Sequence, residues 1–533
     1  MKSIQAEQRS KAEFAMTKFW KRKDVMVVAA GSIPCIRELY ILAEEMDTLH
    51  QFRYVKVNHQ EYILGSAEGK IRQAIRDAAA VDGVQVVVFY LSCLDILIRI
   101  DFKDLETSLS EETGKWVRCF YRGPLGKEER DRLEADAFMA TFPTEEGTIV
   151  RHLGQLPPLM SDGAGISDWI RRKNHGNVLV TPAGCRSCMS DLDMTEDQSQ
   201  VYYPKTETKD FVFGMEETTC RQTCELLQET SLQSISLIGT AVPSFMGMDG
   251  EALADELQQK KCEAWYLEAD GFHDALYGVS QAELAWAKRM ATKMEKMVSP
   301  CVQILGGSPL LGGLREDYQE GIDFLQSLGY TVLFDGETAL DGRRPALNWV
   351  VSSAGLAAGH WLKEEIGIPL LISRPVGAHA WQTWKRQVQE LLKAGEGERA
   401  LCIHNMGLPK RHRERILFIG DPVQIMGEAH ALWHEGYYHL QLASLVWTKE
   451  TKELYKAAPG SERFQYIASL ADIQQAAKDC DVVCCDPWLF PFFSTQKKIS
   501  YPWGVLSGRK ALRKEIFGKR SVEGYFDIVK SNA

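Results

Sequence analysis

The chain has 533 residues, 45% of them hydrophobic and 25% charged, which is enough to bury several cores and to form three or four domains. A formal charge of -10 and the lack of any long block of like charges exclude the basic footprint of a protein that grips nucleic acid or an anionic membrane surface. No window approaches the roughly 18 apolar residues of a membrane helix, the polar start "MKSIQAEQRSKAEF" is not an export signal, and thirteen scattered cysteines suit a reducing compartment, so a cytoplasmic location is expected.

Taken along the chain, apolar β-branched runs alternate with longer amphipathic segments. "VMVVAA", "VQVVVFYL", "NVLV", "SISLIG", "VQIL", "TVLF", "LNWVVSS", "PLLI", "RILFIG" and "DVVCC" read as buried parallel strands. "IRELYILAEEMDTL", "AEGKIRQAIRDAAAV", "ALADELQQKK" and "EDYQEGIDFLQSLGY" carry helical spacing between them. Alternation of this kind predicts an α/β fold of several doubly wound, Rossmann-like parallel-sheet domains. Shifts to glycine and charge near Pro300 and between Lys393 and Arg415 place the domains at 1–160, 161–298, 299–398 and 399–533.

The first 290 residues carry an internal duplication. Cys35, Gly65, Cys93 and Asp101 recur, in order, as Cys185, Gly214, Ala241 and Asp249, at offsets of 150, 149, 148 and 148. The N-terminal domain is therefore expected to share the fold of the next one.

Cysteine spacing supplies the chemical candidates. Cys185 and Cys188 form a C-x-x-C pair on the loop after "NVLV", and that spacing fits an iron-sulfur cluster or zinc. With no second C-x-x-C and no H-x-x-x-H at zinc-finger spacing, zinc ranks behind the cluster. Cys220 and Cys224, four residues apart on a predicted helix, share a face and are candidate second ligands. Cys35 and Cys93 could hold another metal, and Cys484 and Cys485 read as packing. "GGSPLLGG" lacks the G-K-[ST] ending of a nucleotide P-loop. Arg374, His379 and Trp381, after the strand "PLLI", are the substrate-facing candidates, because open α/β sheets bind ligands beyond the carboxyl ends of their strands. His273 and His404 read as ordinary surface or core histidines.

From about 160 to 520 the sequence resembles the nitrogenase component 1 proteins and nitrogenase-like reductases, among them dark-operative protochlorophyllide reductase and the nickel-tetrapyrrole reductase of coenzyme F430 synthesis. The family's "hGPxGC" loop, "vFGG" turn and "C-P-x-x-x-I-G-D-D" strand end read here as "VTPAGC" (Cys185), "FVFGMEE" (Gly214) and "GTAVPSFMGMD" (Pro243, Gly247, Asp249). "EADGF", "ILGGSP", "EEIGIPLL", "RPVG", "RILFIGDP" and "YPWGVLSG" continue the match. Two family cysteines are replaced, by Ser161 and Ala241, which departs from the thiol set of an eight-iron P-cluster.

The resemblance implies a subunit of an ATP-dependent reductase. Electrons would come from a separate iron protein that hydrolyses ATP, rest on a cluster, expected to be [4Fe-4S], near Cys185 and Cys188, and reduce a small molecule or tetrapyrrole. Homodimer and heterodimer with a sister component 1 subunit both stay open. The alternative is a cluster-free partner or cofactor-assembly scaffold of the same family.

Overall fold

The computed structural model describes residues 2–3, 15–121, 135–170, 175–181, 201–292, 294–313, 315–334, 343–401, 412–446, 448–456 and 464–512. Cys185, Cys188 and His404 lie outside the described residues.

Each predicted apolar run becomes a strand of one of four sheets. The first sheet places, side by side and parallel, Phe52–Lys56, Val25–Gly31, Val86–Leu91 and Trp116–Tyr121. In the second, Val201–Tyr203, His175–Leu179, Ser234–Ile238 and Glu263–Leu267 run parallel, and the short strand Lys2–Ser3 adds antiparallel to the outer edge. A third parallel sheet orders Thr331–Leu333, Cys301–Leu305, Leu347–Val350, Leu370–Ile372 and Glu398–Ala400. The fourth orders Phe464–Tyr466, Tyr437–Ser444, His412–Ile419, Val482–Cys485 and Lys497–Ser500. The fold is thus α/β, built on parallel sheets.

Central strands are apolar on both faces because helices cover both. Val25–Gly31 is buried at every position. Helix Ala67–Ala79 buries Ala67, Ile71, Ile75 and Ala78, a stripe at helical spacing. Covering each of its two isoleucines is worth about 2 kcal/mol.

Chain packing groups the sheets in pairs. One compact unit comprises Met1–Gly163 and Asn174–His273, with the first and second sheets, and the other comprises Ala164–Lys173 and Asp274–Ala533, with the third and fourth. Within the first unit the two sheets repeat one plan. Numbered along the chain, the four parallel strands of each lie in the order 2-1-3-4. Ser92 caps helix Cys93–Leu97 and Thr240 caps Ala241–Phe245; Asp101 caps Phe102–Thr113 and Asp249 caps Gly250–Gln259. Gly65 and Gly214 both have positive φ, 73° and 100°, at the turn before the next helix. In such sheets the loops after strands 1 and 3 leave in opposite directions and open a crevice at the carboxyl edge.

Candidate functional site

In the first unit the two crevices face each other. Strand Val25–Gly31 ends in Ser32, the N-cap of helix Ile33–Glu45, which puts Pro34 and Cys35 in its first turn. Strand Val86–Leu91 ends in Ser92, which puts Cys93 at the first position of its helix. Cys35 and Cys93 thus leave the two loops that flank the crevice of the first sheet. The Ser32 hydroxyl donates to the Cys35 sulfur at 3.6 Å, and the Cys93 thiol lies 3.9 Å from the Tyr121 hydroxyl.

The loop at Cys93 is fixed by a buried capping box. The Ser92 amide and hydroxyl both donate to Asp95 at 2.7 Å, the Asp95 amide donates back to the Ser92 oxygen at 3.3 Å, and the Tyr62 hydroxyl donates to Asp95 at 3.1 Å. Complete burial pushes the Asp95 carboxyl up to about 6, against these hydrogen bonds. Burial and the nearby Asp95 raise the Tyr62 phenol well above its ordinary value.

Across from it, the second sheet presents Thr240 and Ala241. The Thr240 hydroxyl donates to the Val180 carbonyl at 2.6 Å, which ties together the ends of strands 1 and 3. The loop Asp270–His273 closes this side. Asp162, fully buried, accepts the amides of Gly163 at 2.7 Å, Asp270 at 2.9 Å and Gly271 at 3.0 Å.

Gly271 is the contact point of the two sheets. Its carbonyl accepts the Ile33 amide at 2.7 Å. Its φ is 73°, and a Cβ there would lie 3.2 Å from the Ala241 Cβ, 3.3 Å from the Ser32 Cβ and 3.4 Å from the Pro34 Cδ. Only glycine combines that backbone with that approach. Beside it, His59 stacks on Phe272 at 5.8 Å and meets Phe245 edge-on at 5.5 Å, while Tyr62 packs against both phenylalanines. Val242 is buried in the core of the first sheet, and Cys93, Ala241, Phe245 and Phe272 pack against that core.

Asp162, Asp270 and His273 hold ligand atoms within 4.8 Å of one another. That group is a latch rather than a metal site, because the Asp162 oxygens already accept three amides. Burial and the charge of Asp270 raise the Asp162 carboxyl well above the usual range. Burial also works to raise Asp270, but His273, the Phe272 amide and Asp162 hold it below its ordinary value.

Cys35 and Cys93 place two half-buried thiols on the loops that flank the crevice of the first sheet, sulfur being the donor type an iron-sulfur cluster needs, and the His59 Nε2 is buried at the same seam without a hydrogen-bond partner.

The remaining sequence candidates take other places. Cys220 and Cys224 sit in the helical layer of the second sheet, with Cys262, just before strand Glu263–Leu267, at the edge opposite Ala241. Lys260 donates to the Cys220 sulfur at 3.1 Å, Cys220 donates to Glu256 at 3.3 Å, and Cys224 hydrogen-bonds with both Cys262 and Cys220. Burial pushes the Cys220 thiol up to about 11, with Lys260 opposing. Cys262 shares no short motif with the other two, so its spacing in the sequence carries no sign of this group.

In the second unit, Arg374 is buried. Burial disfavours its charge, yet Tyr501, Tyr318, Glu428 and Asp317 around it more than offset this and raise its pKa. Trp381 packs against Trp349 at 6.3 Å and Trp384 at 5.3 Å. His379 turns instead to His430 and His434, so the three substrate-facing candidates have three different surroundings.

Residues 171–434 match the family described as nitrogenase component 1 type oxidoreductase. Two relatives from two strains of Chloroflexus aurantiacus, each one of the subunits of light-independent protochlorophyllide reductase, are 27% identical over 161 residues. That stretch is 27% of this chain and 30% of the relative, well short of its full length. Among solved structures, nitrogenase Cp1 at pH 6.5 superposes with a TM-score of 0.52 at 12% identity, covering 74% of this chain and 97% of the other. At that identity the likeness is one of fold.

Proposed function

Because this chain is nitrogenase component 1-like through residues 171–434, we propose that it is a subunit of an ATP-dependent reductase that holds an iron-sulfur cluster between the two sheets of its first unit. Cys35 and Cys93 of the first sheet, with Cys185 and Cys188 from the loop after strand His175–Leu179, would be the thiolate ligands. Such a cluster, [4Fe-4S] on this ligand count, accepts and passes on single electrons. The observation that carries the reading is the docking at Gly271, which brings the loop bearing Cys35 against Ala241 and Gly271 of the second sheet.

The chain's own residues then have defined tasks. Ser92, Asp95 and Tyr62 fix the loop that carries Cys93, and Ser32 orients Cys35. Phe245, Phe272 and Val242 keep water from the seam, which strengthens electrostatic interactions inside it. A nitrogenase-reductase-like iron protein would supply the electrons and hydrolyse ATP. A small molecule or tetrapyrrole is the proposed electron acceptor, and a sister component 1 subunit or a second copy is the proposed partner.

Ser161 and Ala241, standing where the family's cysteines would be, favour a second reading: a cluster-free partner or assembly scaffold. Anaerobic purification with iron and acid-labile sulfide analysis separates the two. The reductase reading expects both elements in near-stoichiometric amounts and iron-sulfur absorption that is lost in Cys185→Ser/Cys188→Ser. A folded chain free of iron, alone and with its partner, rules that reading out.

A further inference from the structure

Three thiols meet on the helical face of the second sheet. Cys220 and Cys224 lie one turn apart on helix Glu216–Glu229, and Cys262 immediately precedes strand Glu263–Leu267. All three pack on one hydrophobic core, Cys220 buried, Cys224 and Cys262 half-buried at its rim. Cys220 is held in an ionic group: its thiol donates to Glu256 at 3.3 Å, its sulfur accepts from Lys260 at 3.1 Å, and Lys260 also donates to Glu256 at 2.6 Å. The Cys262 thiol reaches the Lys260 carbonyl at 3.8 Å and hydrogen-bonds with Cys224.

The two neighbours of Cys224 are not equivalent. A disulfide needs Cβ atoms roughly 3.5–4.5 Å apart. Residues i and i+4 of a helix hold theirs about 5–6 Å apart, so Cys220 and Cys224 cannot be joined without unwinding their turn. Cys262 belongs to a different element, so that limit does not bind it. Both Cys224 and Cys262 are also open enough for a small oxidant to reach.

We propose that Cys224 and Cys262 form an oxidation site, a dithiol that hydrogen peroxide converts to a disulfide. One thiolate attacks a peroxide oxygen and becomes a sulfenic acid; the other attacks that sulfur and expels hydroxide, which takes up a thiol proton. Two thiols and one peroxide give one disulfide and two waters, the sulfurs losing the two electrons that the peroxide oxygens gain. Burial, and then the nearby Cys262, raise the Cys224 pKa, so thiolate is scarce near neutrality and the bond forms slowly, under sustained exposure. It closes the chain around strand Ser234–Ile238 and helix Ala241–Phe245, the segment that brings Ala241 and Phe245 to the core of the first sheet. Neither thiol is a proposed cluster ligand, so the site does not depend on the cluster.

The test is peptide mapping of the full, untagged chain by mass spectrometry without reduction, after hydrogen peroxide at about pH 8.5 and blocking of the remaining thiols. The site predicts a linked peptide joining Cys224 to Cys262, two hydrogens lighter than its parts. Dithiothreitol removes it, and it is missing from Cys224→Ser and Cys262→Ser chains whose circular dichroism matches the wild type. A treated wild type in which both residues stay blocked as free thiols, go on to sulfinic acids, or in which Cys224 is joined to Cys220 instead, overturns the proposal. A chain that proves free of iron gives the same map, so failure of the cluster reading and failure of this one are told apart.

Discussion

The first and second sheets follow one plan, 2-1-3-4 with matching caps, yet differ at the loop after strand 3. The first has Ser92-Cys93 with Asp95 closing a capping box, and the second has Thr240-Ala241 with Pro243 in the place of Asp95. The first copy fixes its loop with a buried carboxylate and carries a thiol there; the second fixes its loop through the Val180 carbonyl and carries none. The difference teaches that two copies of one fold can keep the same strand order and caps while anchoring the same loop by different bonds.

Breaking the seam gives the largest expected effect. Gly271→Val adds a branched side chain at positive φ against Ala241, Ser32 and Pro34. Backbone strain and overpacking together cost about 3 kcal/mol, read as a lower urea midpoint for the first unit. A loss within about 0.5 kcal/mol, the range of an ordinary surface change, means that the two sheets are not docked at this residue.

Removing the first copy's capping box ranks next. Asp95→Ala leaves the Ser92 amide and the Tyr62 hydroxyl without their acceptor, a loss of about 2 kcal/mol. The matching change in the second copy, Pro243→Ala, removes no such acceptor and is expected within about 1 kcal/mol by the same chemical denaturation. Equal losses would erase the contrast between the copies.

The remaining effect is a pH dependence. The Asp95 carboxyl ionises near 3.8 in the unfolded chain and about 6 in the folded one. Folding therefore favours its protonated form, so its stability contribution is fully present below pH 3.8 and is lost as pH rises through 6. The span is roughly 3 kcal/mol at most. Asp95→Asn keeps an acceptor and cannot ionise, so this part of the slope between about pH 4 and 7 should disappear. An unchanged slope contradicts the buried, raised carboxyl.

The core of each sheet was legible and most of its rims were not, the outer strand in "TVLF" being an exception. Runs such as "VMVVAA" and "VVCC" advertise strands because both faces are buried. "FRYVK", "EAWYL" and "KKIS" are outer strands whose half-exposed alternation mixes polar with apolar residues, and periodicity over three to five residues cannot separate that from a loop. Cys35 and Cys93 were legible as candidates through the duplication, but the meeting of Ser32 and Pro34 with Gly271 joins residues more than 230 apart and leaves no local trace. Cys262, and the meeting of His379 with His430 and His434, escaped for the same reason. The C-x-x-C of Cys185 and Cys188 lies outside the described residues and stands on sequence alone.

The central claim is that one chain supplies both halves of the cluster site, and complementation tests it most directly. Cys35→Ser/Cys93→Ser and Cys185→Ser/Cys188→Ser chains are produced together anaerobically, and protein-bound iron and sulfide are measured. A site built within one chain leaves the mixture as empty of cluster as either variant alone, beside a wild type that holds it. Iron and sulfide restored in the mixture would show that the two halves come from different chains, and would contradict the account.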